Sequence, residues 1–222
     1  MRSSIRALAF AALAIGATTL PAQGPSVKHV GVIGGVNFSS FTGSLADGFS
    51  ISDFSGTAAF GNKKSTTGFI GGLFVDIPAG NSISIEPGLL YASKGAKYTV
   101  DLYDDIGAYL GSGDLTGNLD YIMIPVLLRY DFQNAGGPYA LIGPAVSFNI
   151  SCSLVGVGGS LDCSDDLGLE TTTTFGGILG LGFQKGSIGG EVRYDFDFSD
   201  AFSNLSGLRN ATWELLLRYQ FK

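Results

Sequence analysis

The segments EVRYDFDF (191–198) and TWELLLRYQF (212–221) decide the fold, because apolar and polar residues alternate along both of them. Successive side chains of a β-strand point to opposite faces of a sheet, so a period of two predicts two strands. One face of this predicted hairpin is apolar and carries Val192, Tyr194, Phe196, Phe198, Trp213, Leu215, Leu217, Tyr219 and Phe221. The other face is polar and carries Glu191, Arg193, Asp195, Asp197, Glu214, Arg218 and Gln220.

The same alternation occurs in six earlier segments of the chain. Together with the two segments quoted above, this gives eight segments, near 29–38, 69–77, 83–91, 122–130, 140–148, 175–183, 192–198 and 213–221. Aromatic residues gather near the ends of several segments, which is typical of the interfacial girdle of a membrane barrel. The pattern predicts eight strands, each with one apolar face and one small or polar face.

The composition restricts the class of protein. Charged residues make up 14% of the 222 residues, against roughly 25% in an average protein. Mean hydropathy is positive at +0.30, yet beyond the N-terminus no run of 18 apolar residues occurs, which excludes a helical membrane span. Interleaved apolar and polar residues favour a transmembrane β-barrel. The net charge of −6 argues against binding to nucleic acid, which requires a basic face.

Residues 1–22 are predicted to be a secretory signal peptide. Arg2 and Arg6 form a positive n-region, residues 7–17 form a short apolar h-region, and cleavage is expected after Ala22. Removal of this segment leaves 11 basic and 19 acidic residues, a mature net charge of −8. A single domain is expected over residues 25–222.

The connections between the predicted strands alternate in length. Those near 78–81, 133–137 and 185–187 are short, and those near 39–65, 95–117, 151–170 and 199–210 are long. Outer-membrane barrels combine short periplasmic turns with long external loops. We therefore predict an all-β protein, an eight-stranded antiparallel up-and-down transmembrane β-barrel in the bacterial outer membrane.

The polar faces of the predicted strands place charges inside this barrel. Eight strands leave an interior just wide enough for side chains, and buried charges persist when they are paired. The predicted lumen charge network consists of Glu86, Arg129, Glu191, Arg193, Glu214 and Arg218. Structural filling of the lumen is the favoured interpretation, and a path for protons or ions is the alternative. In the last hairpin we expect Glu191 opposite Arg218 and Arg193 diagonal to Glu214.

Cys152 and Cys163 are separated by ten residues rich in Gly, Ser and Asp. In an exported protein such a pair predicts a disulfide, and two free thiols are the alternative. Two thiols without a nearby His or a second pair are too few ligands for zinc. We predict no metal site and no cofactor.

The single histidine, His29, is expected at the periplasmic end of the barrel. Active sites that move protons or hold a metal commonly need a histidine, and the hydrolases and acyltransferases of the outer membrane carry theirs toward the external rim. The glycine pairs in the chain form neither a dinucleotide-binding fingerprint nor a P-loop. We therefore expect a protein that is not an enzyme.

Several segments resemble a known family. IEPGLLYASKG (85–95) resembles the third strand of PorT-like outer-membrane β-barrel proteins, and YIMIP (121–125) resembles their fourth strand. Segments 138–144, 180–183 and 191–194 are similar to later strands of that family. The resemblance covers essentially the whole mature chain and implies a small eight-stranded barrel of the OmpA/OmpX type. The segment 213–221 resembles the C-terminal assembly signal of outer-membrane proteins, which implies recognition by the barrel-assembly machinery.

The expected function is non-enzymatic, with a structural or surface-binding role for a membrane protein that displays surface loops. A narrow channel for ions or small solutes is one alternative, and an adhesin or a component of a secretion apparatus is another. The expected partners are outer-membrane lipids and the assembly machinery, with no nucleic acid. We expect a monomer, and the sequence names no surface ligand.

Overall fold

The computed structural model describes residues 29–53, 56–133, 136–156, 159–166, 168–204 and 206–221. The predicted signal peptide, 1–22, lies outside the described residues. The strands in these ranges are β1 (His29–Thr42), β2 (Phe49–Asp53), β3 (Gly56–Pro78), β4 (Ile83–Tyr103), β5 (Tyr109–Asp131), β6 (Gly137–Gly156), β7 (Gly159–Asp162), β8 (Thr174–Lys185), β9 (Ile188–Asp197) and β10 (Arg209–Phe221). Within the described ranges, no helix has the length and apolar character needed to cross a membrane.

Eight of these strands form one closed antiparallel ring. The first strand, β1, pairs with both β10 and β3, and the ring continues through β4, β5, β6, β8 and β9. The closing pair is long and runs from Val30 opposite Phe221 to Thr42 opposite Arg209. The short strands β2 and β7 extend hairpins on β3 and β6. The predicted eight-stranded up-and-down barrel is confirmed.

A belt of exposed apolar side chains runs around the outside of the barrel over part of its height. Leu217 is 71% exposed and Phe69 60% exposed, although both lie in regular strands. Paired aromatic rings border the belt, among them Tyr130 with Phe132 and Tyr219 with Phe221. An apolar band with aromatic borders is the lipid-facing surface of a transmembrane barrel.

The two ends of the barrel differ. At one end, tight connections join Pro78 to Ile83 and Lys185 to Ile188, and we call this the short-turn end. His29 lies there, opposite Asp76. The other end carries β2, β7 and the long hairpins, and we call it the extended end.

The predicted long loops near 39–65 and 95–117 are largely wrong, because paired strands continue through them, whereas the predicted loop near 151–170 is strand only at 151–156 and 159–162. β4 runs on to Tyr103 and β5 begins at Tyr109, so the connection 104–108 has five residues. Strands of 21 and 23 residues are about twice the roughly 9–11 residues that cross a bilayer. The hairpins therefore project beyond the apolar belt. Gly, Asp and Ser are disfavoured in strands by propensity, but here cross-strand pairing over the whole hairpin outweighs that preference.

The polarity of the wall reverses along β5. Near the short-turn end, outward residues are apolar and the inward Arg129 is charged; the outward set is Ile122, Ile124, Val126, Leu128 and Tyr130. Toward the extended end the outward set is polar and consists of Asp114, Thr116, Asn118 and Asp120. There the inward Leu119 and Tyr121 are 1% and 0% exposed. The same strand thus belongs to a membrane barrel at one level and to a water-exposed barrel with an apolar interior at the next.

The seam between β1 and β10 depends on glycine at residue 35. Gly35 faces Leu216 across the closing pair, and a Cβ at residue 35 would overlap the backbone carbonyl of Leu215. A backbone carbonyl in a paired strand cannot move aside as a flexible side chain can. At the adjacent Gly34, a Cβ would lie 3.6 Å from the nearest atom, the carbonyl oxygen of Ile70, which is ordinary contact.

We expect Gly35→Val to prevent closure of the barrel and Gly34→Val to permit it. Both substitutions add the same side chain to neighbouring positions of one strand, so hydrophobicity and strand propensity are matched. The measurement is heat-modifiable gel mobility after refolding into phospholipid vesicles. Equal folded fractions for the two variants would contradict the assignment of the seam.

Candidate functional site

The lumen is crossed by ion pairs between diametrically opposite strands. In a ring of eight, β4 and β9 lie four strands apart in either direction. Glu86 on β4 and Arg193 on β9 nevertheless approach to 3.5 Å between Oε1 and Nη2. Farther toward the extended end, Lys94 on β4 and Asp195 on β9 lie 2.5 Å apart between Nζ and Oδ2. The barrel is narrow enough for one side chain from each of two opposite strands to meet across it, and this happens at two levels.

Glu86 is the acceptor that three arginines share. Its carboxylate lies 2.6 Å from Nη2 of Arg218, 3.5 Å from Nη2 of Arg193 and 3.9 Å from Nη1 of Arg129. The Glu86 side chain is 2% exposed, so the charges are held away from bulk water. Arg129 also forms a 2.8 Å ion pair with Asp131 toward the short-turn end.

Glu191 is the second acceptor of the network. Arg193 lies 2.5 Å from its Oε2, Arg218 contacts its Oε1, and the hydroxyl of Tyr139 donates to the same Oε1 at 2.7 Å. Aromatic rings pack against the guanidinium groups: Arg129 lies 3.8 Å from the ring centroid of Tyr139, and Arg218 lies 4.0 Å from that of Phe74. Cation–π contacts of this kind become stronger when the cation is desolvated.

Small residues make room for these side chains. The ring of Tyr139 fills the space where Gly182 would carry a Cβ, and the ring of Phe74 does the same at Gly31. The inward glycines therefore accommodate the aromatic groups that flank the network. The lumen at this level is a packed layer of charges and rings.

The structure brings five of the six predicted network residues into contact and leaves Glu214 apart. Glu214 is buried in the lumen, but neither of its carboxylate oxygens has a hydrogen-bond partner among the described residues. The predicted register of the last hairpin is wrong by two residues, since Glu191 pairs with Leu216 and Arg193 lies directly opposite Glu214. A shift of two keeps every residue on its face, so the inward placement of all four charged residues is unaffected.

A polar layer lies on the extended side of this network. Asn210 donates from Nδ2 to Oδ2 of Asp197 at 2.9 Å and to the hydroxyl of Tyr121 at 3.2 Å. The ammonium group of Lys94 lies 5.6 Å from the centroid of the Tyr121 ring. Tyr121 therefore separates the charged lumen from the space beyond it.

Beyond Tyr121 lies an apolar chamber with a volume of about 280 Å³. Six leucines and three phenylalanines line it: Leu115, Leu119, Leu154, Leu161, Leu169, Leu208, Phe41, Phe60 and Phe202. Ala96, Gly117, Tyr98 and Cys152 complete the lining. The residues come from β1, β3, β4, β5, β6 and β7 and from the connections at the extended end, so the chamber lies within the projecting part of the barrel.

The disulfide braces one side of the chamber. Cys152 on β6 and Cys163 after β7 are joined with their Cα atoms 5.4 Å apart. The turn that follows is organised by Asp162, whose Oδ1 accepts hydrogen bonds from the backbone amides of Ser164 and Asp165 at 2.8 and 3.1 Å. These amides, with the Ser164 hydroxyl, hold the pKa of Asp162 below its usual value.

The one hydroxyl in the chamber lining is directed away from the cavity. Tyr98 donates to the backbone carbonyl of Ala46 at 3.0 Å. Burial of the phenol, together with the nearby carboxylate of Asp47, raises the pKa of Tyr98 to about 12, so it is neutral at physiological pH. On the outer face of the same wall, the Lys97 ammonium bonds to Asp114 and lowers the pKa of that carboxyl.

Sequence reasoning missed the chamber. The alternation of Leu115, Gly117 and Leu119 with Asp114, Thr116 and Asn118 was present as a signal. It indicates a strand whose polar face is outward, the reverse of the pattern in the membrane belt. The glycines and aspartates around it favoured a loop instead.

A family model described as an outer membrane protein beta-barrel domain matches residues 22–203. The chain belongs to this family. Membership places the protein in the bacterial outer membrane, as predicted. No curated protein shows significant similarity to the chain.

Three solved structures are similar to this chain at low sequence identity. Neisserial surface protein A is 13% identical over 86% of this chain and 97% of that chain, with a TM-score of 0.49. Ail, the attachment invasion locus protein of Yersinia pestis, in complex with the heparin analogue sucrose octasulfate, is 14% identical over 87% and 98%, with a TM-score of 0.43. OprG of Pseudomonas aeruginosa is 15% identical over 88% and 97%, with a TM-score of 0.42.

We expect Arg218→Leu to lower the free energy of unfolding by about 3–5 kcal/mol, because it leaves the carboxylates of Glu86 and Glu191 with one fewer buried partner. Arg209→Leu is the matched control, since Arg209 is 47% exposed in its pair with Asp200 and should cost less than about 1 kcal/mol. The measurement is urea unfolding in phospholipid vesicles. Equal losses for the two variants would contradict the network.

Proposed function

We propose that this protein is a closed, non-enzymatic outer-membrane barrel whose projecting end serves a binding role at the cell surface. The observation that carries the proposal is the reversal of wall polarity along β5. It allows the barrel to continue past the apolar belt as a rigid structure with polar walls.

The closed state of the lumen is supported by its packing. Two cross-lumen ion pairs, Arg193 with Glu86 and Lys94 with Asp195, join the same opposite strands at successive levels. The rings of Tyr139 and Phe74 pack against the guanidinium groups of Arg129 and Arg218 in the same network. A path for ions would require these buried pairs to separate, and breaking a buried pair is costly. We therefore propose that the charge network fills and closes the lumen and is not a path for ions.

The orientation follows from the connections. Short turns lie on the periplasmic side of outer-membrane barrels and longer hairpins on the external side. We therefore place the extended end outside the cell. His29 then lies at the periplasmic end, away from the chamber, and it has no proposed role in proton transfer or metal binding.

The tip of the β4–β5 hairpin supports a binding role. Ile106 is 84% exposed, Leu110 66% and Tyr109 58%, although Tyr109 lies thirteen residues beyond Ile122, where the apolar belt ends. That separation is roughly 40 Å along an extended strand, so lipid does not cover these residues. Exposed apolar groups clustered on a surface in water are typical of interaction sites.

The finer resemblance to PorT-like proteins is also part of the proposal. Its two most specific motifs, 85–95 and 121–125, lie side by side, with Tyr91 opposite Ile122 and Ala92 opposite Tyr121. They contain both Glu86 of the network and Tyr121 of the layer above it. The remaining proposed partners are outer-membrane lipids along the belt and the assembly machinery at the β10 segment, with the barrel acting as a monomer.

We expect the purified protein to give no conductance steps of porin size in planar lipid bilayers, because charges and rings fill the lumen. Deletion of the hairpin tip, residues 104–108, is the control variant and should leave the protein equally silent, since the block lies inside the barrel. Large, reproducible steps from the wild-type protein would overturn the closed lumen in favour of a channel. Conductance steps that appear only after the deletion would show that the hairpin tip, and not the lumen, prevents conduction.

A further inference from the structure

We propose that the chamber at the extended end binds one small, uncharged, hydrocarbon-like molecule of about two fused rings. This inference deepens the proposed surface-binding function and rests on it. The supporting observations are the chemistry of the lining, the size of the cavity and the pair of small residues that creates it.

The lining excludes charged and strongly polar ligands. It consists of aliphatic and aromatic side chains with no acid, base or amide, and the hydroxyl of Tyr98 already donates to Ala46. A polar group that entered would lose its bonds to water without replacement, which is unfavourable. An apolar molecule would lose nothing and would gain contacts with the surrounding rings and leucines.

The volume sets the size of the ligand. An apolar cavity of about 150 Å³ stays dry and binds benzene, and this chamber has a volume of about 280 Å³. A two-ring hydrocarbon such as naphthalene is the corresponding size. Drug-sized ligands occupy cavities of about 300–1,000 Å³, so larger molecules are excluded unless the lining moves.

The cavity exists because two small residues face each other in the wall. Ala96 on β4 pairs with Gly117 on β5, while the neighbouring inward residues are Tyr98, Leu115 and Leu119. A Cβ at Gly117 would already lie 3.3 Å from Cδ2 of Leu154, and Gly117 is not among the glycines with positive φ. A larger side chain at residue 117 would therefore fill the chamber without backbone strain.

The layer at Tyr121 separates the chamber from the charges of the lumen. Leu119 is 1% exposed and lies on the chamber side, and the Lys94–Asp195 pair lies at the polar layer. A ligand in the chamber would thus enter and leave at the extended end. Binding there requires no passage through the barrel.

The test uses the wild-type protein in phosphatidylcholine nanodiscs, with ¹³C-methyl-labelled alanine and naphthalene as the probe. Ala96 reports on the chamber, Ala140 and Ala211 on the outward faces report partitioning into lipid, and Ala145 reports on the lumen. We expect saturable shifts at Ala96, linear shifts at Ala140 and Ala211, and none at Ala145. Shifts at Ala96 that stay linear would overturn the proposal.

Gly117→Leu is the blocking variant, and Gly61→Leu is its matched control, because a Cβ at Gly61 meets nothing within 4 Å. We expect Gly117→Leu to weaken the binding of naphthalene by about tenfold or more and Gly61→Leu to leave it unchanged. Unchanged binding in a folded Gly117→Leu protein would contradict the assigned cavity.

Phe202→Ala decides the question if Gly117→Leu does not fold, because it enlarges the chamber from a connection outside the ring. The Phe202→Ala protein should prefer to bind phenanthrene, with three rings, over naphthalene. An unchanged binding preference would count against the chamber. Contacts between Ala96 and lipid methylene protons before naphthalene is added would assign the space to an acyl chain and overturn the proposal. Conductance measurements separate the chamber proposal from the proposal that the lumen is closed. If the protein conducts and naphthalene still binds saturably near Ala96, the closed lumen alone is refuted.

Discussion

The distance across an eight-stranded ring is the constraint on which the structure depends. It is short enough for Glu86 to reach Arg193 and for Lys94 to reach Asp195 from opposite walls. These charges must face inward, because charged side chains on the lipid face destabilise a barrel. A slip of one residue in any strand would exchange its two faces, so the ion pairs and the lipid belt together fix the register.

The same strands serve two solvents in succession. In the belt, lipid accepts the apolar face and the charges pair in the lumen. Beyond Tyr121, water surrounds Asp114 and Asn118 on the outside, while Leu115 and Leu119 face the apolar chamber on the inside. The apolar interior of the projecting barrel follows from the hydrophobic effect in the ordinary way, and its incomplete filling at Ala96 and Gly117 leaves a chamber.

Much of the fold could be predicted from the sequence, because alternation with a period of two is a direct consequence of strand geometry. The strand number, the inward placement of Arg218 and the outward placement of Trp213 all follow from it. The register of the last hairpin could not be predicted, since eleven residues separate β9 from β10 and that length does not fix which residues pair. The proximity of Cys152 and Cys163 was predictable from their compartment and short spacing.

The chamber and the polar layer were not predictable, because they depend on where the membrane ends. Alternation tells which residues share a face but not which solvent that face meets. To predict that the wall polarity reverses between Tyr121 and Ile122, one must know that β5 continues unbroken through a glycine-rich segment. That continuity comes from pairing with β4 along its whole length, a long-range effect that local composition does not contain.

Spin labelling along the outward face of β5 in phospholipid vesicles tests the central claim most directly. Single cysteines at 114, 116, 118, 120, 122, 124, 126 and 128 would carry the label, and collision rates with oxygen and with a water-soluble nickel complex would be compared. We predict that nickel dominates at 114–120 and oxygen at 122–128, with the change between Asp120 and Ile122. A lipid-like ratio extending to residue 114, or a change near residue 128, would contradict the reversal of polarity on which the projecting barrel and its chamber depend.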